Sequence, residues 1–199
     1  GNSEAATGGY AQPEGLDIVN DPDGEEIAER AVGRDLGPSE VSAYWYSRAR
    51  RFIAAHPGDW SRLLLRKLTF VISSYELPQL ENYYFQRRYA PLLRLPLPGF
   101  AVIAPLGLLG LALSLRRRRA ALLGLFAAAY LLSIVAFFVV ARYRLPVVPI
   151  LVIFASFAIF ELVSMARGGR LRQMSISVVS LAALVFVVNA NYYGIDREL

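Results

Sequence analysis

The chain of 199 residues contains no cysteine and one histidine. Without thiols there is no disulfide, no thiolate nucleophile and no Cys-based metal site, and His56 alone cannot build a histidine-rich one. Arginine far outnumbers lysine, a ratio that codon bias accounts for. The glycines Gly8, Gly9 and Gly15 do not form a phosphate loop, because the Walker spacing and its lysine are missing. No internal repeat is present. The chain opens on Gly1 with no signal-like basic and apolar start, so it reads as the C-terminal piece of a longer protein.

What is abundant is apolar sequence, 55% of residues, and it is unevenly spread. Four stretches have the length and polarity of membrane spans: 99–115, 120–140, 147–165 and 174–190. The first and last are near the lower length limit, and Leu95 and Leu97 extend the first. Residues 1–98 carry a net charge of −2 and residues 99–199 a net +7. Basic residues set beside apolar runs indicate membrane orientation, not nucleic-acid binding, which needs arginines on a soluble face.

Orientation follows from the short loops. Arg116–Arg119 and the trio Arg167, Arg170 and Arg172 are two spans apart, so both fall on one face, the cytoplasmic one. Residues 1–98, the link carrying Arg142 and Arg144, and the tail 191–199 then lie outside. The expected fold is therefore an all-α membrane protein. Four C-terminal transmembrane helices follow an extracytoplasmic segment with short amphipathic helices.

Within that segment, a short acidic helix over Glu25–Val32 is expected, capped by Asp23. Ser39 is positioned to cap a helix of about 40–56, with Val41, Trp45, Ala49, Phe52 and Ile53 inward and Arg48, Arg50 and Arg51 turned away. Asp59 is positioned to cap another, about 60–74. There Trp60, Leu64, Leu68, Val71 and Ile72 form one stripe and Arg62, Arg66, Thr69 and Ser73 another. A basic amphipathic helix with an aromatic edge suits the membrane interface, although packing on a soluble core gives the same pattern. The aromatic run 75–85 fits an interfacial belt. Alternatively Glu76, Glu81 and Asn82, with Tyr83 and Tyr84, line a polar cleft there.

The Arg142-Tyr143-Arg144-Leu145-Pro146 link carries two arginines on the face that disfavours them. Pro146 suits an early helical position, where the missing N–H is not needed. Free backbone donors and two guanidinium forks would then meet at a helix start, a phosphate site at the depth of lipid head groups. The competing reading is that both arginines anchor on ordinary lipid phosphates. Glu161, the one carboxylate inside a span, lies near Arg167 and Arg170, and a local ion pair explains it. His56 sits at a helix end, where a cation complements the dipole.

The chain resembles the C-terminal half of a bacterial GT-C-class membrane glycosyltransferase, related to the dolichyl-phosphate-mannose protein mannosyltransferases. Four places carry the resemblance. They are Gly1-Asn2 with its glycine-rich loop; Phe52–Pro57 leading to Leu63–Lys67; Tyr75–Pro78 with Asn82–Phe85; and the Arg-x-Arg-x-Pro motif at Arg142. The resemblance implies a sugar moved from a polyprenyl-phosphate carrier to a protein, lipid or glycan outside the bacterial cytoplasmic membrane, with inversion. It implies that Arg142, Tyr143 and Arg144 hold the carrier phosphate and that residues 76–85 shape the donor and acceptor cleft. The family's acid in its first outer loop, which serves as general base or holds a divalent cation, has no counterpart here. The fragment alone is then expected to be inactive. The alternative is a non-enzymatic membrane scaffold or assembly subunit with residues 1–98 as its docking segment.

Overall fold

The computed structural model describes residues 1–9, 15–17, 19–77, 83–94 and 98–192. Among them every regular element is helical: α1 (Glu25–Val32), α2 (Pro38–Ala55), α3 (Pro57–Ile72), α4 (Tyr83–Tyr89), α5 (Phe100–Ser114), α6 (Arg118–Phe137), α7 (Val148–Arg167) and α8 (Leu171–Asn189). A 3-10 turn spans Pro91–Arg94, and a 3-10 link, Ala141–Val147, joins α6 to α7.

The first helix has the expected bounds but a different cap. Asp21, not Asp23, accepts the N–H groups of Glu25 and Glu26, at 2.7 and 3.2 Å. Gly24 sits between them in the left-handed region (φ 71°), which lets the chain double back so that Asp21 reaches the first turn. Helix α2 starts one residue before the expected cap Ser39. Pro38 fills its first turn, and Glu40 reaches back to accept the Gly37 N–H at 3.0 Å. Hydrogen bonds from Arg34, at 2.5 and 3.2 Å, hold the Glu40 carboxyl down at about 2. Ala28, Leu36 and Val41 close the small core between α1 and α2.

His56 alone separates α2 from α3, ending one and capping the other. Asp59 thus lies inside the first turn of α3, where it bonds Arg62 at 2.8 Å. The buried face of α3 is Leu63, Lys67, Phe70 and Val71. Leu68 and Ile72, expected on the apolar stripe, stay 37% and 38% exposed. The helix rotates because its partner, the end of α6, presents both apolar side chains (Ile134, Val135, Val139) and an open carbonyl that Lys67 fills.

Three helical stretches are long and apolar enough to cross a membrane: Arg118–Phe137, Ala141–Arg167 and Leu171–Asn189. The expected first span forms a helix, α5, of 15 residues. At ~1.5 Å per residue it is about 22 Å long, short of the ~30 Å hydrocarbon core. Gly99 starts it and the Arg116–Arg119 block stops it. Its placement comes from packing on α7. Gly107 and Gly110 lie on a seam with Leu151 and Phe154, where a Cβ on Gly107 would come 2.8 Å from the Leu151 carbonyl oxygen. A Cβ on Gly110 would overlap the Phe154 carbonyl outright. Ala104, Ile150, Leu151, Phe154 and Val188 fill the core that this close approach creates.

The expected second span also ends early, at Phe137 instead of 140. Phe138 and Val140 are extended. The Val139 N–H donates to Gly8 O at 3.0 Å and the Ala141 N–H to Leu77 O at 3.1 Å. Segments far away in sequence thus satisfy the backbone that leaves the helix.

Gly110→Val should lower the thermal midpoint of the detergent-solubilised protein and detach α5 from α7, with an overpacking cost of about 1–3 kcal/mol. Gly58→Ala, in open space in the first turn of α3, should not lower it. Equal midpoints for the two variants would show that the seam does not hold α5.

Candidate functional site

The α6–α7 end of the bundle gathers four strands of chain: the 3-10 link, the loop after α3, the N-terminal segment and the end of α8. Two buried cations hold them together.

Arg144 is 2% exposed. Its guanidinium donates to Ser73 O, to Tyr75 O at 3.1 Å, to Val71 O at 3.5 Å and to Glu76 Oε2 at 3.2 Å. It also lies 4.2 Å from the centre of the Phe100 ring, at the start of α5. The carbonyls belong to the end of α3 and the loop beyond it, where the helix dipole is negative and helical donors run out. One guanidinium therefore caps α3, neutralises Glu76 and stacks on α5. The N–H of Ser74 reaches across to Val188 O of α8 at 2.7 Å, so α8 joins the same knot.

Lys67 is the only lysine in the chain and is fully buried. Its ammonium donates to Phe137 O at 2.6 Å and to Asn2 Oδ1 at 2.8 Å. Asn2 donates in turn to Ala136 O at 2.8 Å. The last carbonyls of α6 are thus capped from α3 and from the N-terminal segment. Burial pushes the Lys67 ammonium down to about 8.

The expected site residues are now placed. Arg142 is exposed, lies 5.8 Å from the Tyr143 ring centre and makes no hydrogen bond or ion pair among the described residues. Tyr143 packs on the cluster of Phe70, Val71 and Ile134 and meets Phe138 at 5.7 Å. The two arginines are therefore unlike: the fork of Arg144 is filled by protein acceptors, while that of Arg142 is open. Pro146 falls inside the 3-10 link, and Pro149 takes the early position in α7. Glu76 keeps one face toward solvent, its side chain 32% exposed, and its N–H donates to the Tyr84 hydroxyl at 3.2 Å. Tyr84 stacks on Tyr75 at 5.2 Å and meets Tyr83 edge-on. Glu81 and Asn82 lie outside the described residues. Among those described, no group of three His, Asp or Glu side chains gathers as a metal site.

At the opposite end, Glu161 pairs with Arg170 at 3.3 Å, the local ion pair that the spacing suggested. His56 lies 3.8 Å from Glu4 and 3.9 Å from Asp59. The roles of Lys67 and Asn2 had no pattern to announce them. The one available signal was a solitary lysine in an arginine-rich chain.

Lys67 predicts a pH dependence. Its folded value, about 8, lies below the ordinary 10.5. Between those values the unfolded chain binds more protons, so stability rises with pH across that window and is flat below it. The difference in unfolding midpoint between the wild type and Lys67→Met, followed in detergent from pH 7 to pH 10.5, should show this rise. A difference independent of pH would mean that the ammonium is not held in a desolvated site.

The chain matches no family model, no curated protein and no solved structure.

Proposed function

We propose that the chain is the C-terminal part of an integral-membrane glycosyltransferase. In this reading it moves a sugar from a polyprenyl-phosphate carrier to an extracytoplasmic protein, lipid or glycan. The observation that carries it is the state of Arg142: an exposed guanidinium, without a hydrogen bond or ion pair among the described residues, on a link that a neighbouring buried arginine holds fixed. A phosphate needs such a group, a positive fork whose donors are not already used and whose position costs little to fix. Support also comes from the helices long and apolar enough to span, which would bring the link to the depth of lipid head groups.

The chemistry then divides between the two arginines. In the displacement, the bond from the sugar's anomeric carbon to the phosphate oxygen breaks, and the phosphate keeps the electron pair. The acceptor oxygen bonds to the same carbon from the opposite side and gives its proton to a base. Arg142 stabilises the charge growing on the leaving phosphate. Arg144 is a positioning residue, since its donors are spent on Ser73, Tyr75 and Glu76. Glu76, with one carboxylate face open beside Tyr84, lies where an acceptor or sugar hydroxyl would be received.

Membranes holding the full-length protein, supplied with labelled polyprenyl-phosphate sugars, test the reading. Arg142→Gln should cut transfer by about 10²–10³-fold at an unchanged level of folded protein, and Arg142→Lys should restore part of it. Arg144→Gln should instead lower the amount of folded protein. Absence of transfer by the wild type, or full activity of Arg142→Gln, would overturn the assignment.

A further inference from the structure

A groove of 740 Å3 opens between α2 and the end of α6. Its volume is that of an ordinary ligand site, roughly 300–1,000 Å3. Asn2, Ala136 and Phe137 form the side belonging to the knot. Trp45, Ala49 and Ile53 form the wall from α2. Trp45 stands against Gly24, where a Cβ would come 2.8 Å from the indole. The groove is mostly apolar, with Asn2 and Ser42 also in its lining, and it includes Phe137, which is 61% exposed at the last turn of α6.

Its rim carries both charges. Asp23, Glu25 and Arg50 all line it, and all three are exposed. Sequence periodicity turns Arg50 toward solvent, yet it borders the groove. None of the three side chains makes a hydrogen bond or ion pair among the described residues, although opposite charges line one opening. No ion pair joins them among the described residues, so an object with a cation and an anion of its own would satisfy both.

We infer that this groove holds one chain of a phospholipid whose head group is an aminoalkyl phosphate. The phosphate meets Arg50, the primary ammonium meets Asp23 and Glu25, and the hydrocarbon lies along Trp45, Ile53 and Phe137. Three observations fix this chemistry. The groove adjoins the end of a helix long and apolar enough to span, the depth at which head groups meet chains. It is apolar where a chain would lie. Its rim offers donors for phosphate and acceptors for an ammonium, and a purely anionic lipid would leave two carboxylates facing a phosphate. The inference does not depend on the glycosyltransferase reading or on Arg142.

Trp45 is itself the reporter. The 199-residue chain carrying Trp60→Phe, in which Trp45 is then the sole tryptophan, is placed in phosphatidylcholine nanodiscs. These are doped with bromine-labelled phosphatidylethanolamine, phosphatidylcholine or phosphatidylglycerol. The ethanolamine lipid should quench Trp45 at the lowest mole fraction. Arg50→Gln and Asp23→Asn/Glu25→Gln should each raise that fraction about tenfold, as expected for one lost charge-assisted contact. Arg172→Gln, at the far end of the bundle, should not. Asp23, Glu25 and Arg50 are exposed and their side chains make no hydrogen bond or ion pair among the described residues, so circular dichroism should show an unchanged fold. Equal quenching by the three lipids, strongest quenching by the glycerol lipid, or none would each overturn the proposal. The last would mean that protein fills the groove.

Discussion

A helix end leaves its last carbonyls without partners, and the organisation of this protein follows from how two such ends are closed. Helices α3 and α6 both run out of donors in the same place. Neither is finished by a residue of its own. Arg144, from the link after α6, closes α3, and Lys67, from α3, closes α6. Each helix thus supplies or receives what the other lacks. An unmade bond of this kind costs about 1–3 kcal/mol, and more where the group left behind is charged. The exchange also explains why a cation is tolerated in each buried position: it faces the negative end of a helix dipole and several carbonyl oxygens.

The same closure separates structure from chemistry in the Arg-x-Arg motif. A guanidinium with four acceptors has little left for a ligand, and one with none is free to take one. By fixing the link at Arg144, the fold presents Arg142 without ordering Arg142 through its own contacts. Tyr143, packed on the α3–α6 cluster, gives the link a third anchor. Two arginines separated by one residue therefore take unlike roles, one holding the link and the other exposed on it.

How much was legible in sequence follows the range of the forces involved. The all-helical class, the bounds of Glu25–Val32 and the apolar runs come from local periodicity and length, and they emerge within a few residues. The Glu161–Arg170 pair was legible for the same reason, since one helix end and a short turn bring it together. Long-range partners were not. That α6 ends at Phe137 depends on Gly8 and Leu77, and that α3 turns Lys67 inward depends on Phe137. The difference between Arg142 and Arg144 is likewise set by carbonyls 69 to 73 residues earlier. Cap identity failed on a finer scale. Asp21 and Asp23 are equally good caps by type, and only the left-handed Gly24 makes the first one reach.

The burial of Lys67 has one more consequence, for reagents and proteases. The only side-chain amine of the chain is sealed in the folded state, so amine-directed chemistry finds no lysine on its surface. A lysine-specific protease has a single site, and that site is inside a helix whose neighbour covers it. Cleavage there reports the separation of α3 from α6, one bond at a time, in a protein whose other cations are all arginine or histidine.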